Sequence, residues 1–169
     1  MAIIINGNGT LSGVTSGAGK VLQTKVWTIP STAISTTGSW SWPTTPNRPN
    51  TYAVDDFSFS RVSSTSKIIG IATGHIDHNG ASGAPSGVFL LSVNNELFGA
   101  AYRHQRNSDQ EPFHYGFAFE DGCTSHNDNS NPRYYLTCHS SGSAMMFSRM
   151  NAGTTPQNPF RIMFWEVEQ

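Results

Sequence analysis

Charge is scarce in this sequence. Only 12% of its 169 residues are Asp, Glu, Lys or Arg, and the formal net charge is -1. That leaves no basic stripe for neutralising the phosphates of a nucleic acid and no polybasic patch for a membrane surface. Long apolar runs are missing as well, and no segment approaches the roughly 20 residues a spanning helix needs. The opening Met1 to Asn6 has no basic residues, and its apolar run is far shorter than the core of a signal peptide, so synthesis in a cytosol without general secretory export is expected. Cysteine is limited to Cys123 and Cys138, which excludes a disulfide scaffold and favours two free, partly buried thiols. The polar surface falls to Ser, Thr, Asn and Gly, whose short side chains compete with helical hydrogen bonds. An all-β chain is the consequence.

What is present supports that reading. Phe57 and Phe59 alternate with Ser58 and Ser60, a polar turn follows at 63–66, and Ile69, Ile71 and Thr73 then alternate with Gly70, Ala72 and Gly74. The stretch from Asp55 to Asp77 therefore reads as an organising hairpin whose second strand has a bulky side and a flat side. Val88 to Val93 and Glu96 to Tyr102 flank Asn94-Asn95, a dipeptide suited to the positive φ of a tight turn. Aromatics at 113, 115, 117 and 119 mark a half-buried strand. Arg133 to His139 and Ser143 to Met150 suggest a further strand pair, and the dense apolar run Phe160 to Val167 suggests a central strand. With Val21 to Trp27 there are about eight strands separated by regular turn signals, which predicts a jelly-roll-like antiparallel β-sandwich.

The first 20 residues read as a separate piece. Ile3, Ile4 and Ile5 precede a segment in which glycine recurs too often for a packed strand, with Leu11 and Val14 as its only other large aliphatic residues. Two units are expected: an N-terminal arm, 1–20, and a β-sandwich head, 21–169. Gly17-Ala18-Gly19-Lys20 is not a phosphate loop, since Val14 and Val21 occupy the positions that would need Gly and Ser or Thr.

Motifs for chemistry are sparse. On a strand His75 and Asp77 face one side and His78 the other, which does not make a metal site. Asp109, Glu111, Glu120 and Asp121 fall in or beside loops, where paired carboxylates could cleave a glycoside if their separation were fixed. Cys138 and His139, being adjacent, point to opposite faces. No catalytic residue, metal ligand or cofactor is assigned. Trp40 and Trp42 share a face beside the proline-rich segment Pro43 to Asn50. With His104, Arg106 and Asn107 they are the candidate glycan contacts, although closing one end of the core is the more ordinary use of two indoles.

The arm from Ile5 to Gln23, the Ser63-Ser64-Thr65-Ser66-Lys67 turn and the closing Phe160-Arg-Ile-Met-Phe-Trp-Glu-Val resemble small tailed-bacteriophage virion structural proteins of the tail-fibre or head-decoration kind. The resemblance implies a homotrimeric, non-enzymatic appendage, assembled in host cytoplasm and carried on the virion. Its arm would dock on a capsid or tail protein through Ile3, Ile4, Ile5, Leu11 and Val14, and its head would face outward for host-surface attachment. The flat Gly70/Ala72/Gly74 side and the surplus of aromatics would then be buried between subunits. A carbohydrate-binding module and a glycan-cleaving enzyme are the alternatives.

Overall fold

The Asn94-Asn95 turn is where the architecture starts. Asn95 takes φ 65, and Ser92 ties the turn: its Oγ accepts from the N–H groups of Asn94 at 3.1 Å and Glu96 at 3.0 Å. In the computed structural model, residues 4–5, 11–12, 19–30, 32–35, 51–79, 85–104, 112–140, 144–148 and 159–169 are described. The strands among them are β1 (Ile4–Ile5), β2 (Leu11–Ser12), β3 (Val21–Thr28), β4 (Thr32–Ser35), β5 (Tyr52–Ser58) and β6 (Lys67–Asn79). There follow β7 (Pro85–Ser92), β8 (Leu97–His104), β9 (Pro112–Asp121), β10 (Arg133–Ser140), β11 (Ala144–Phe147) and β12 (Arg161–Val167).

From the turn outward, the chain pairs with itself like one long hairpin. Partner numbers add to 189 at Val88↔Ala101, Ala72↔Phe117 and Trp27↔Ile162, and to 191 at Phe57↔Tyr134. The β4–β11 pairing departs from this, adding to 179 at Ile34↔Met145, and the rolled hairpin splits between two layers. One sheet has the order β5-β10-β7-β8. In the other, β9 lies along one edge of the long β6, while β12 and β11 lie end to end along its opposite edge, opposite Lys67 to Thr73 and Ile76 to Asn79 respectively. Beyond them β3 pairs with β12 and β4 with β11.

Leaving aside the separate β1–β2 pair and counting each end-to-end pair as one interrupted strand, the described residues form eight strands, in the orders 1-8-3-6 and 2-7-4-5. This is an antiparallel β-sandwich with the wiring of a jelly roll, as the strand count and alternation predict. Ser148 closes the interruption, at φ 59. Its hydroxyl donates to the carbonyl of Ile29 at 2.8 Å and accepts from the N–H of Phe160 at 3.0 Å.

The rings meet between the layers. Phe164, on the central β12, packs against Phe57 at 5.0 Å, Tyr134 at 5.2 Å, Phe119 at 5.6 Å and Phe59 at 5.9 Å between centroids. Trp27 stacks on the far side of this cluster against Phe57 at 5.5 Å. Both cysteines are free and buried.

Three expectations change. The stretch from Asp55 to Asp77 is not a hairpin, because β5 pairs with β10 in one layer and β6 with β9, β11 and β12 in the other. Its turn is a crossover between layers, needed because the rings of Phe57 and Phe59 must lie over β6's sheet and not beside it. Likewise β10 and β11 belong to different sheets and do not pair with each other.

The third change concerns the flat side of β6, which faces the molecule's own core and not another subunit. A Cβ on Gly70 would lie 2.3 Å from the ring of Phe119 and 2.7 Å from the carbonyl oxygen of Met163. Small residues on β6 make room for large ones on β9 and β12, which keeps the interlayer volume filled.

The N-terminal pairing is short, with Ile4↔Ser12 and Ile5↔Leu11, and among the described residues β1 and β2 pair only with each other. Ile3 and Val14 lie outside the described residues. Pairing with the last strand reaches Lys20, whose carbonyl accepts from Glu168 at 2.9 Å.

Gly70→Ala is expected to lower stability by about 2 kcal/mol through overpacking against a ring and a backbone carbonyl. Gly116→Ala, whose Cβ would meet nothing closer than 3.5 Å, should be neutral by comparison. Urea unfolding midpoints of the two variants check the contrast, and equal losses would refute the packing account.

Candidate functional site

Continuing the inward alternation along two strands brings a carboxylate into the core. Phe160, Ile162 and Phe164 are followed at the same spacing by Glu166, and Tyr115, Phe117 and Phe119 by Asp121. Both acids are buried, at the end of the sandwich where the 59–66 and 122–132 segments run side by side.

Glu166 accepts from the N–H groups of Val62 and Ser63 at 2.9 Å, from the Ser66 hydroxyl at 2.5 Å and from Gln23 Nε2 at 2.6 Å. Burial pushes its pKa up, but these four donors outweigh it and hold the carboxyl below its ordinary value. Arg61 ties the same turn to its neighbour. Its guanidinium donates to the carbonyls of Ser66 and Asn129, and its own N–H donates to Ser130 O at 2.9 Å.

Asp121 holds the second segment. It accepts from the Tyr134 hydroxyl at 2.5 Å, the Cys123 N–H at 2.6 Å and His126 Nε2 at 2.8 Å. The N–H of Arg133 donates to His126 Nδ1 at 3.2 Å, which puts the ring proton on Nε2. Burial raises the Asp121 pKa, and the bonds from His126, Tyr134 and Cys123 more than offset it, so the group stays ionised. Burial and then the Asp121 charge push the Cys123 thiol up to about 12, and the same two causes raise Tyr134.

An Asp-His-Tyr arrangement has the composition of acid–base machinery, but here both carboxylate oxygens of Asp121 already accept hydrogen bonds from within the protein. Cys123 stays a protonated thiol, which is a poor nucleophile. The cluster is a buried clasp that fixes two loops. Asp121 and Glu120, adjacent on β9, face opposite sides: Glu120 is exposed and pairs with Lys67 at 2.9 Å, so these two carboxylates do not work on one bond. Asp121 is not the solvated loop acid that its neighbours suggest. Its signal was its place in the aromatic alternation of β9, and the signal for Glu166 was the same on β12.

On the outer side of β6, His75 sits opposite His114 on β9, with ring centroids 5.3 Å apart. His114 Nε2 meets Thr73 Oγ1 at 2.9 Å, and the buried Nδ1 of His75 has no hydrogen-bond partner. Among the described residues no three His, Cys, Asp or Glu side chains come together as metal ligands. Cys138 faces the core, and His139 lies on the opposite face of β10 beside the ring of Tyr52 at 5.7 Å. Of the candidate glycan contacts, His104 ends β8, while Trp40, Trp42, Arg106 and Asn107 lie outside the described residues, as do Asp109, Glu111 and the segment 43–50.

Compared with protein-family models and with curated proteins, the chain matches none.

Because Glu166 and Asp121 are held below their unfolded pKa values, the stability they contribute is complete above about pH 4–5. It is lost as pH falls through the lowered folded-state values. Melting temperature followed by circular dichroism should therefore drop below that range, and Asp121→Asn should flatten the drop. At neutral pH Asp121→Asn should cost about 3 kcal/mol, since it breaks a buried charged network. A variant as stable as the parent at neutral pH would remove the clasp from this account.

Proposed function

We propose that this chain is a non-enzymatic structural component of a tailed-phage virion, a homotrimeric appendage that docks through its N-terminal arm and carries a jelly-roll head outward. The observation that carries the reading is the division of labour along the chain. The eight-strand roll closes on residues from Lys20 onward, while Ile4–Ile5 and Leu11–Ser12 form a short pair of their own. A two-residue pair has no independent stability in water, so an aliphatic arm of this kind gains order by lying on another surface. The jelly roll is a fold used by viral capsid and lectin domains, which supports the reading at the level of fold analogy. So does the resemblance of the arm and of the Ser-Ser-Thr-Ser-Lys turn to virion proteins. The buried Asp121–His126–Tyr134 cluster belongs to the loops' architecture, which favours a structural role.

Deleting residues 1–20 should leave a head that melts cooperatively but no longer joins particles, with at least a tenfold loss of gold label on purified virions by electron microscopy. A truncated head that incorporates at the full level would sink the docking role. Full-length protein missing from purified particles would sink the reading altogether.

A further inference from the structure

We infer that His75 and His114 form a two-histidine site for a late first-row divalent cation such as Zn²⁺, Ni²⁺ or Cu²⁺. The inference stands on the sheet alone and does not depend on the virion reading above. Register builds the site. Gly70, Ala72 and Gly74 are buried on the inner side of β6, so the alternate residues of the strand face outward, and His75 among them stands directly opposite His114 on β9. Opposed residues of an antiparallel pair have Cβ atoms about 5 Å apart, close enough for two imidazoles to share one ion.

The spacing agrees with that use. A zinc ion ~2.1 Å from a ligating nitrogen lies roughly 3.2 Å from the centre of that ring, and a tetrahedral angle between two such ligands sets the ring centres ~5.2 Å apart. The observed separation is 5.3 Å, with the rings at 84°. Plain edge-to-face contact has a similar spacing. What distinguishes this pair is an unmet nitrogen: Nδ1 of His75 is buried and has no hydrogen-bond partner, a costly state for a polar atom unless water or an ion meets it. His114 is exposed, which gives an ion a way in from solvent, and Thr73 orients its ring. With Nε2–H of His114 donating to Thr73 Oγ1 at 2.9 Å, Nδ1 keeps its lone pair, and a partner on one ring nitrogen is what aims the other at a metal.

The neighbours select the class of ion. The next outward row holds Gly116, Thr73 and Arg161, so no carboxylate stands there for a hard cation such as Ca²⁺ or Mg²⁺. Imidazole without carboxylate favours the late first-row metals. The exposed side of His114 leaves the remaining coordination positions to water, or to an anion drawn by Arg161. Two protein ligands beside a guanidinium set a micromolar affinity, short of the tighter binding of a closed four-ligand site.

The test is calorimetric titration of the untagged full-length chain with Zn²⁺ and Ni²⁺, and with Mg²⁺ as the control ion, for the parent, His114→Ala, His75→Gln and Thr73→Val. Expected is one Zn²⁺ or Ni²⁺ per chain with a micromolar Kd, and no uptake of Mg²⁺. Each histidine substitution removes one of the two ligands and should weaken binding at least tenfold, and Thr73→Val, which only frees the His114 ring, should weaken it about tenfold. With Zn²⁺ at about 100 times Kd the parent's melting temperature should rise by roughly 5 °C, and that of His114→Ala should not move. Because His114 is exposed, its variant keeps the fold and decides the matter even if His75→Gln lowers the stability of the metal-free chain. A parent that binds neither ion below millimolar concentration overturns the site and leaves Nδ1 of His75 to a buried water. Binding that persists at the parent's strength in His114→Ala puts the ion elsewhere and overturns it as well.

Discussion

Register around Asn94-Asn95 is the constraint on which this structure depends. A sandwich of eight strands has many wirings, but a chain that pairs with itself outward from one tight turn has few, because each new pair starts where the last one left off. Partner numbers stay within a few residues of 189 from β7 and β8 through β6 and β9 to β5 and β10, fall to 179 at β4 and β11, and return to 189 at β3 and β12, so the insertions on the two arms balance only over the whole roll. The consequence is spatial. Segments of equal rank on the two arms emerge side by side, and that is why 59–66 and 122–132 share one end of the molecule.

That shared end is knit by ionised groups in place of hydrophobic packing. Glu166 and Asp121 each close an aromatic alternation and each satisfy three or four donors. A turn has backbone N–H groups with no ladder partner, and leaving them buried and unmet would cost more than burying a carboxylate that meets several at once. Arg61 supplies the countercharge nearby and crosslinks the two segments. Two loops are thereby tied to the scaffold, and the acid–base character of the residues is used in hydrogen bonds that hold them.

The reversal of β6 has the opposite effect on the surface. Filling the interlayer with Phe119, Phe160 and Phe164 requires a neighbour without side chains, and glycines at 70 and 74 provide it. The same strand must then send Ile69, Ile71 and Thr73 outward. Good internal packing thus leaves apolar side chains on the exterior, Ile71 among them.

Much of the fold was legible in local patterns. Period-2 alternation located β3, β7, β8, β9, β10 and β12, the density of the closing run put β12 in the middle of its sheet, and the scarcity of charge and helix formers gave the class. Periodicity reports which residues share a face, but not which face is inside, because both sides of β6 read as apolar. It also cannot tell a hairpin from a crossover, since a turn such as 63–66 looks the same in either. Those choices were made by tertiary contacts: by Phe119 needing the space above Gly70, by Glu166 drawing the turn across the end of the sandwich, and by β12 and β11 filling one edge of β6 between them. The arm's composition is plain in the sequence. That Lys20 is tied to the end of the chain is decided by tertiary structure alone, because the tie is a hydrogen bond to Glu168, about 150 residues away.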